Sequence, residues 1–449
     1  MTAAKLNIKT FFGCSLLIFS PVVFGDLNMR MFDLSMSSET HAVFMKNLQQ
    51  SLNLHPESLL QDSLISQQIN QAKIIKSELK PKMYFQMNSK SPPLDSETDS
   101  FFQSLQQKNT SVLDQTLILE QLITDFGQTK NRVSQQEELV NSERASSLSE
   151  KTKLALRMLD ACFNTAAYSL LLEVSNSSVV QHQEITDLIK IRVDSGRAPG
   201  REMSRSMARL AEAKAKKLLI GSNLAESVAN FRSLLPNQTA CKKFPLTKFY
   251  IELNELNAID AAQADNNDIR SANFKITALE KQLKSVKQGK YPLITAEIRA
   301  DKFDVHNSED YNLIGAVKFN WNLYQGRKRR IQEQNTREEI KAATFQKEVL
   351  ERNVESLVSS NLAELKQSKL TLAAFTDAYT ANVQSREQLK LQFFAANISL
   401  LELLQSERDY LEAAEALVLN TKKIRMAEHL HLFYVGALDS YISVQRGEN

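Results

Sequence analysis

From Gln128 to Ser195 the chain contains neither glycine nor proline, and from Arg327 to Val435 it again contains neither. These are the residues that end or kink a helix. Apolar residues recur through both stretches at intervals of three and four, as in Leu350, Val354 and Leu357 or in Leu372, Phe375 and Tyr379. That spacing predicts coiled-coil stripes whose ordinary role is a helix-packing seam. An unbroken helix over residues 128–195 would be ~100 Å long at 1.5 Å per residue. Breakers return at Ser195-Gly-Arg-Ala-Pro-Gly200, which predicts a turn. In the second stretch the turn is placed at Asn397, because Asn tolerates left-handed geometry and Ser399 can cap the helix that follows.

The two stretches belong to a duplication. An amphipathic helix after Pro56 runs into Pro81, and one after Asn267 runs into Pro292; both pairs of landmarks are 211 apart (267 − 56 and 292 − 81). Farther on, the offset becomes about 200: ITDFGQ ends at residue 128 and NLYQGR at residue 327, and Glu202 answers Glu402. The change in offset falls between the two alternating segments of each half, so the first half carries the longer loop there. This arithmetic predicts a first repeat over 26–236, a linker over 237–252 and a second repeat over 253–445. Each is ordered as short helix, strand, loop, strand, very long helix, turn, long helix.

Four segments alternate with the period of a strand: Lys82–Ser89, Val112–Thr124, Leu293–Phe303 and Asn312–Tyr324. In the third, Ile294, Ala296, Ile298 and Ala300 alternate with Thr295, Glu297, Arg299 and Asp301. In the fourth, Val317, Phe319, Trp321 and Leu323 alternate with Lys318, Asn320, Asn322 and Tyr324. A transmembrane β-barrel uses this pattern at ~10 residues per strand, apolar toward lipid and polar toward a wet lumen; a half-buried sheet in a soluble α+β protein uses it too. Four strands are too few to close a barrel, and open edges are not tolerated in lipid, so a membrane reading requires several chains.

The first 25 residues have Lys5 and Lys9, an apolar run from Phe11 to Phe24 and Val23-Phe24-Gly25 before Asp26, the pattern of a secretory signal peptide. The run is interrupted by Pro21 and is shorter than the ~20 residues of a spanning helix. The net charge of +3 includes those two lysines, so the remainder is about +1 (3 − 2) and gives no footing for nucleic acid. No CxxC, HExxH, P-loop or GxGxxG occurs, and His429 and His431 fall on different helix faces, so neither an enzyme nor a metal or other cofactor is expected. Cys162 lies 34 residues before the turn at 196 (196 − 162), ~51 Å along the helix. The return helix ending near Leu235 is ~59 Å long, so Cys162 and Cys241 lie at similar heights. They could form a disulfide in an oxidising compartment or stay as two buried thiols.

Over nearly the whole mature chain, about residues 40–445, the sequence resembles the TolC-like outer-membrane channel proteins. The resemblance is carried by LITDFGQTKNRV and WNLYQGRKRRI at the strand-to-helix landmarks and by SGRAPGREMSRSMARLAEA and QFFAANISLLELLQSERDYLEA at the turns. It implies a mainly α chain with transmembrane β structure. Three protomers would give four strands each to a 12-stranded barrel, continued by an α-helical periplasmic tunnel. SNLAESVANFRSLLPN and LLELLQSERDYLEAAEAL are most similar to the type I secretion branch, which exports adhesin-like proteins. The implied partners are a periplasmic adaptor (membrane fusion protein), an inner-membrane ABC transporter or proton-driven pump, outer-membrane lipid and the exported substrate; multidrug efflux uses the same architecture. A soluble periplasmic coiled-coil adaptor or scaffold would share the leader and the long hairpins but would lack lipid-facing bands.

The resemblance also implies site residues. Glu202 and Glu402, directly after the two turns, match the acids that narrow the periplasmic aperture in such channels, and Gln405 stands where relatives often have a second acid. Either glutamate would also suit a helix N-terminus on dipole grounds alone. Arg192, Arg197, Arg201, Arg205 and Arg209, with Asp194 and Glu202, crowd the first turn around Gly196, and they form either a latch to neighbouring hairpins or a solvated face. Together with Asn397 they would meet the adaptor. Ile294, Ile298, Val317, Phe319, Trp321 and Leu323 would face lipid, and loops 90–111 and 304–311 would face the exterior.

Overall fold

The structure, a computed structural model, describes residues 34–90, 112–236, 238–245, 254–302, 311–395 and 398–444. The expected signal peptide, both expected exterior loops apart from their end residues 90 and 311, Asn397 and half of the 237–252 linker lie outside them. The elements in order are α1 (Ser38–Leu54), α2 (Pro56–Ser77), β1 (Lys82–Lys90), β2 (Val112–Thr124), α3 (Gln128–Asp194), α4 (Gly200–Leu234), α5 (Glu255–Asp265), α6 (Asn267–Gln288), β3 (Leu293–Lys302), β4 (Tyr311–Asn320), α7 (Lys328–Phe394), α8 (Leu400–Tyr434) and α9 (Leu438–Val444).

The duplication is visible in lengths. Helices α2 and α6 both have 22 residues, α3 and α7 both have 67, and α4 and α8 both have 35. Long helices form because nothing in their sequence stops them, and the first ends where glycine allows it. Gly196 takes a left-handed conformation (φ +74°), its N–H reaches the Val193 carbonyl at 2.9 Å, and the Arg197 N–H reaches the Arg192 carbonyl at 2.8 Å. This closes the last turn in a Schellman motif.

The four strands form one antiparallel sheet in the order β1-β2-β3-β4, so the halves meet through β2 and β3, where Leu119 opposes Ile298 and Leu117 opposes Ala300. Each half passes from strand to helix through two consecutive left-handed residues, Phe126-Gly127 and Gly326-Arg327. Glycine takes the second place in one junction and the first in the other, leaving Phe126 and Arg327 in a conformation that a side chain disfavours.

The fourth strand is shorter than its sequence suggests. Alternation continues to Tyr324, but β4 ends at Asn320, and Trp321 and Leu323 therefore lie beyond the strand rather than in it. Asn320 pairs with Leu293, so the next partner of Trp321 would be Pro292, which has no N–H to give to the ladder. Trp321 instead turns its indole N–H to the Lys290 carbonyl at 3.0 Å.

The largest core lies where the middle of α3 meets α1, the end of α4, the 235–244 segment, α8 and α9, around Met45, Leu48, Met158, Phe163, Phe231 and Phe244. Here Cys162 and Cys241 are joined as a disulfide. The 235–244 segment is also fixed by backbone bonds, from the Phe244 N–H to Leu34 and from the Met36 N–H to Phe244, both at 2.8 Å. A second cluster seals α5, α6 and α8 against α7 through Ala258, Ile269, Val354, Val358, Leu362 and Ile424. No helix among the described residues is long and apolar enough to cross a membrane.

Candidate functional site

Alternation along each strand and the register between them give the sheet two unlike faces. On one, Met83, Phe85 and Met87 of β1 stand opposite Leu119, Leu117 and Gln115 of β2, and Ile294, Ala296 and Ile298 of β3 stand opposite Phe319, Val317 and Gly315 of β4. This face is bare: Met83 is 71% exposed, Leu313 70%, Val317 69% and Phe319 61%. Ile298 is exposed as well, and Ile294 is half-buried. The other face carries Gln86, Thr116, Glu120, Glu297, Arg299, Asp301 and Lys318. Glu297 (4%) and Asp301 (6%) are buried there among their partners. Lys318 pairs with Glu297, Arg299 lies 3.5 Å from Asp301 and 3.8 Å from Glu297, and the Thr116 hydroxyl is 2.8 Å from Asp301. A sheet that buries its charges and exposes its methionines and phenylalanines is inverted with respect to water.

At the opposite end of the long helices the two hairpin tips pack on each other. Ile185, Ile189 and Val193 of α3 meet Leu389 and Phe393 of α7 and Leu400, Leu403 and Leu404 of α8. Arg192 fastens this contact: its guanidinium lies 4.5 Å from the centre of the Phe393 ring and donates to the Phe393 carbonyl oxygen at 3.0 Å. Among the described residues its partner is thus an aromatic residue and a backbone oxygen, not a carboxylate. Arg197 donates to the Ser195 hydroxyl at 3.2 Å. Arg197, Arg201, Arg205 and Asp194 are exposed, and among the described residues no ion pair joins them; Arg209 pairs with Glu212 at 2.6 Å. Glu202 is half-buried and Glu402 exposed, each in the first turn of its helix, and the Glu402 N–H donates to the Ser399 hydroxyl at 3.4 Å. Gln405 is half-buried and donates to Asp409 at 2.7 Å.

This fold is shared with solved structures. The chain aligns with the outer membrane protein VceC of Vibrio cholerae at a TM-score of 0.73 and 13% identity, covering 88% of this chain and 96% of that one. It aligns with the CmeC outer membrane channel of Campylobacter jejuni at 0.73 and 13%, covering 89% of each. The open state of the MtrE outer membrane channel of Neisseria gonorrhoeae gives 0.70 and 14%, covering 88% and 89%. This is the fold of outer-membrane channels. No protein-family model and no curated protein sequence matches the chain.

The channel-like fold also contains a buried charge that sequence reasoning missed. About two turns from the tip, Glu407 of α8 is fully buried, with the Arg386 guanidinium of α7 at 3.5 Å. Arg386 lies 4.2 Å from the centre of the Tyr410 ring, and the Tyr410 and Tyr379 rings are 5.8 Å apart. Burial pushes the Glu407 carboxyl up from its ordinary value, opposed by Arg386 and Lys390. The signal was available: Glu407 lies in the stripe Leu403, Tyr410, Ala414, and Arg386 in the stripe Tyr379, Val383, Phe393, so both charges occupy seam positions. Behind them, a cleft of about 200 Å³ between α3, α4 and α8 is lined by His182, Arg209, Glu212, Lys216, Glu407 and Glu412. Burial, and then Arg209, push His182 down.

Proposed function

We propose that the chain is one protomer of a trimeric, TolC-like outer-membrane channel-tunnel of a Gram-negative bacterium. It would export protein substrates of the adhesin-like kind as the outer component of a type I secretion system. An inner-membrane ABC transporter supplies the substrate through a periplasmic adaptor. The observation that carries this reading is the inverted sheet leading directly into 67-residue helices. In lipid the bare apolar face is solvated and the buried charges face a wet lumen; in water both placements are unfavourable.

The edges of the sheet support closure by several copies. Among the described residues its outer strands, β1 and β4, each have a partner on one side only. With four antiparallel strands they run in opposite directions, so β4 of one copy can pair antiparallel with β1 of the next. Three copies give twelve strands without an open edge, which satisfies the demand that every backbone group in lipid be bonded. Glu202 and Glu402 then form rings around the tunnel entrance, where carboxylates favour cations, and Arg192, held on Phe393, keeps the tips together until the adaptor separates them.

The secretion branch is favoured over small-molecule efflux by the runs SNLAESVANFRSLLPN and LLELLQSERDYLEAAEAL. The deciding experiment is fractionation of the mature protein, followed by planar-bilayer recording of the detergent-extracted material. A heat-modifiable trimer in the outer membrane with discrete, cation-selective conductance is expected, and Arg192→Ser should raise that conductance severalfold. A monomer or dimer released by osmotic shock would end the channel reading in favour of a soluble scaffold.

A further inference from the structure

The two strand-to-helix junctions differ in charge. In the first, Asp125 is buried and its carboxylate accepts the Gly127 N–H at 3.0 Å and the Thr129 N–H at 2.6 Å. In the second, 200 residues on, Gln325 stands in its place and Arg327, Lys328, Arg329 and Arg330 follow. Lys290 joins them: Arg329 donates to the Gly289 carbonyl at 3.1 Å, and Trp321 donates to that of Lys290 at 3.0 Å. The nearest acid along α7, Glu333, is already engaged by Arg337 at 2.8 Å. Cations at the start of a helix oppose its dipole, so this cluster does not exist to stabilise α7.

The cluster sits at one level with apolar side chains. Trp321, Leu323 and Tyr324 are exposed, the Trp321 ring lies 6.3 Å from that of Phe319 on the bare face, and a shallow hollow of about 200 Å³ beside Leu323 and Tyr324 is lined by Arg327, Lys328, Arg329 and Arg330 with one carboxylate, Glu333. Strands of nine to thirteen residues cover roughly the thickness of a hydrocarbon layer, so the cations fall at its edge, on the side of the helices. Apolar and aromatic groups above a basic band match an anionic lipid leaflet in both polarity and charge.

We propose that this collar, resting on the channel reading given above, binds the phosphodiester headgroups of anionic phospholipid in the leaflet on the helical side, with Lys328 and Arg330 as the principal contacts. The headgroup supplies the negative charge that Asp125 supplies at the first junction.

The test uses the intact protein reconstituted into nanodiscs of phosphatidylcholine alone or with added phosphatidylglycerol, with native mass spectrometry of the lipids that remain on the protein. Phosphatidylglycerol should be retained in preference, and Lys328→Gln and Arg330→Gln should each lower that preference ~5-fold. Flotation with vesicles reports the underlying reading separately. A protein that floats but shows no preference, or whose preference survives both substitutions, overturns the lipid site and leaves the channel intact. A protein that does not float removes both. Inorganic phosphate is the control, and if it displaces the retained phosphatidylglycerol at millimolar concentration, the patch is a soluble-anion site and the lipid assignment fails.

Discussion

Helices α3 and α7 have the same length and the same place in the duplicated plan, yet their surroundings differ. Along one seam they agree: Leu154, Met158 and Cys162 are buried in α3, and Val354, Val358 and Leu362, each 200 residues on, are buried in α7. Along another they diverge. Ala145 and Ser149 of α3 are buried where α2 and α6 both lie against that helix, and Leu170 is buried in the largest core; Phe345, Val349 and Leu370 of α7, each 200 residues on, are exposed. At the first two of these positions small residues, Ala145 and Ser149, line the face that the chain itself covers, and larger apolar ones, Phe345 and Val349, line the face it leaves open. On the channel reading proposed above, neighbouring copies would cover in the second half what the chain itself covers in the first, so that a duplicated chain could both fold alone and assemble as a trimer.

The sharpest way to break this comparison is to charge the open face. Phe345→Asp with Val349→Asp should abolish the proposed trimer in crosslinking and native mass measurements while leaving helical circular dichroism unchanged. Leu170→Asp, at a covered position, should instead prevent the protomer from folding. If the α7 variants remain trimeric, the open face is not an interface.

A second difference is covalent. The first half is stapled where Cys162 meets Cys241, 79 residues apart, whereas the second has only Leu362 at the corresponding seam position. Replacing both cysteines by serine should cost about 4 kcal/mol through the entropy of the released loop, read from urea midpoints measured without reductant. Leu362→Ala should cost ~2–5 kcal/mol through the cavity it leaves, which places the two devices on one scale.

The third contrast concerns acid. His429, between the Phe163 and Tyr441 rings, joins the second half to the main core, and burial pushes it down to about 4 from an ordinary 6.5. Between those values the unfolded chain takes up a proton that the folded chain refuses, so stability should fall as pH drops from 6.5 toward 4 and then level off. The separation corresponds to roughly 3 kcal/mol. His429→Phe should flatten this part of the pH profile of the urea midpoint; an unchanged slope would assign it to other groups.

The smallest effect separates the two junctions. Asp125→Ala removes a carboxylate that satisfies two backbone N–H groups and should cost about 1–2 kcal/mol, whereas Gln325→Asp should recover about 1 kcal/mol at the other junction. Equal effects at both sites would mean that the difference in capping is without energetic consequence.

Several features could be read from the chain because their causes lie within a few residues. Both 67-residue helices follow from the absence of glycine and proline, the two-faced strands from alternation, and the repeat from landmarks held at fixed offsets. Glu407 and Arg386 could also have been found, since a charge in an apolar stripe is a local signal. Other features depend on what a residue meets across the molecule. The end of β4 was set by Pro292 on the neighbouring strand, and the partner of Arg192 by Phe393, 201 residues away. The joining of the halves was set by β2 meeting β3, and the burial of His429 by the aromatic rings around it. Periodicity is a property of the local backbone and is written in sequence; register, partner and burial are properties of packing, and only the tertiary structure decided them.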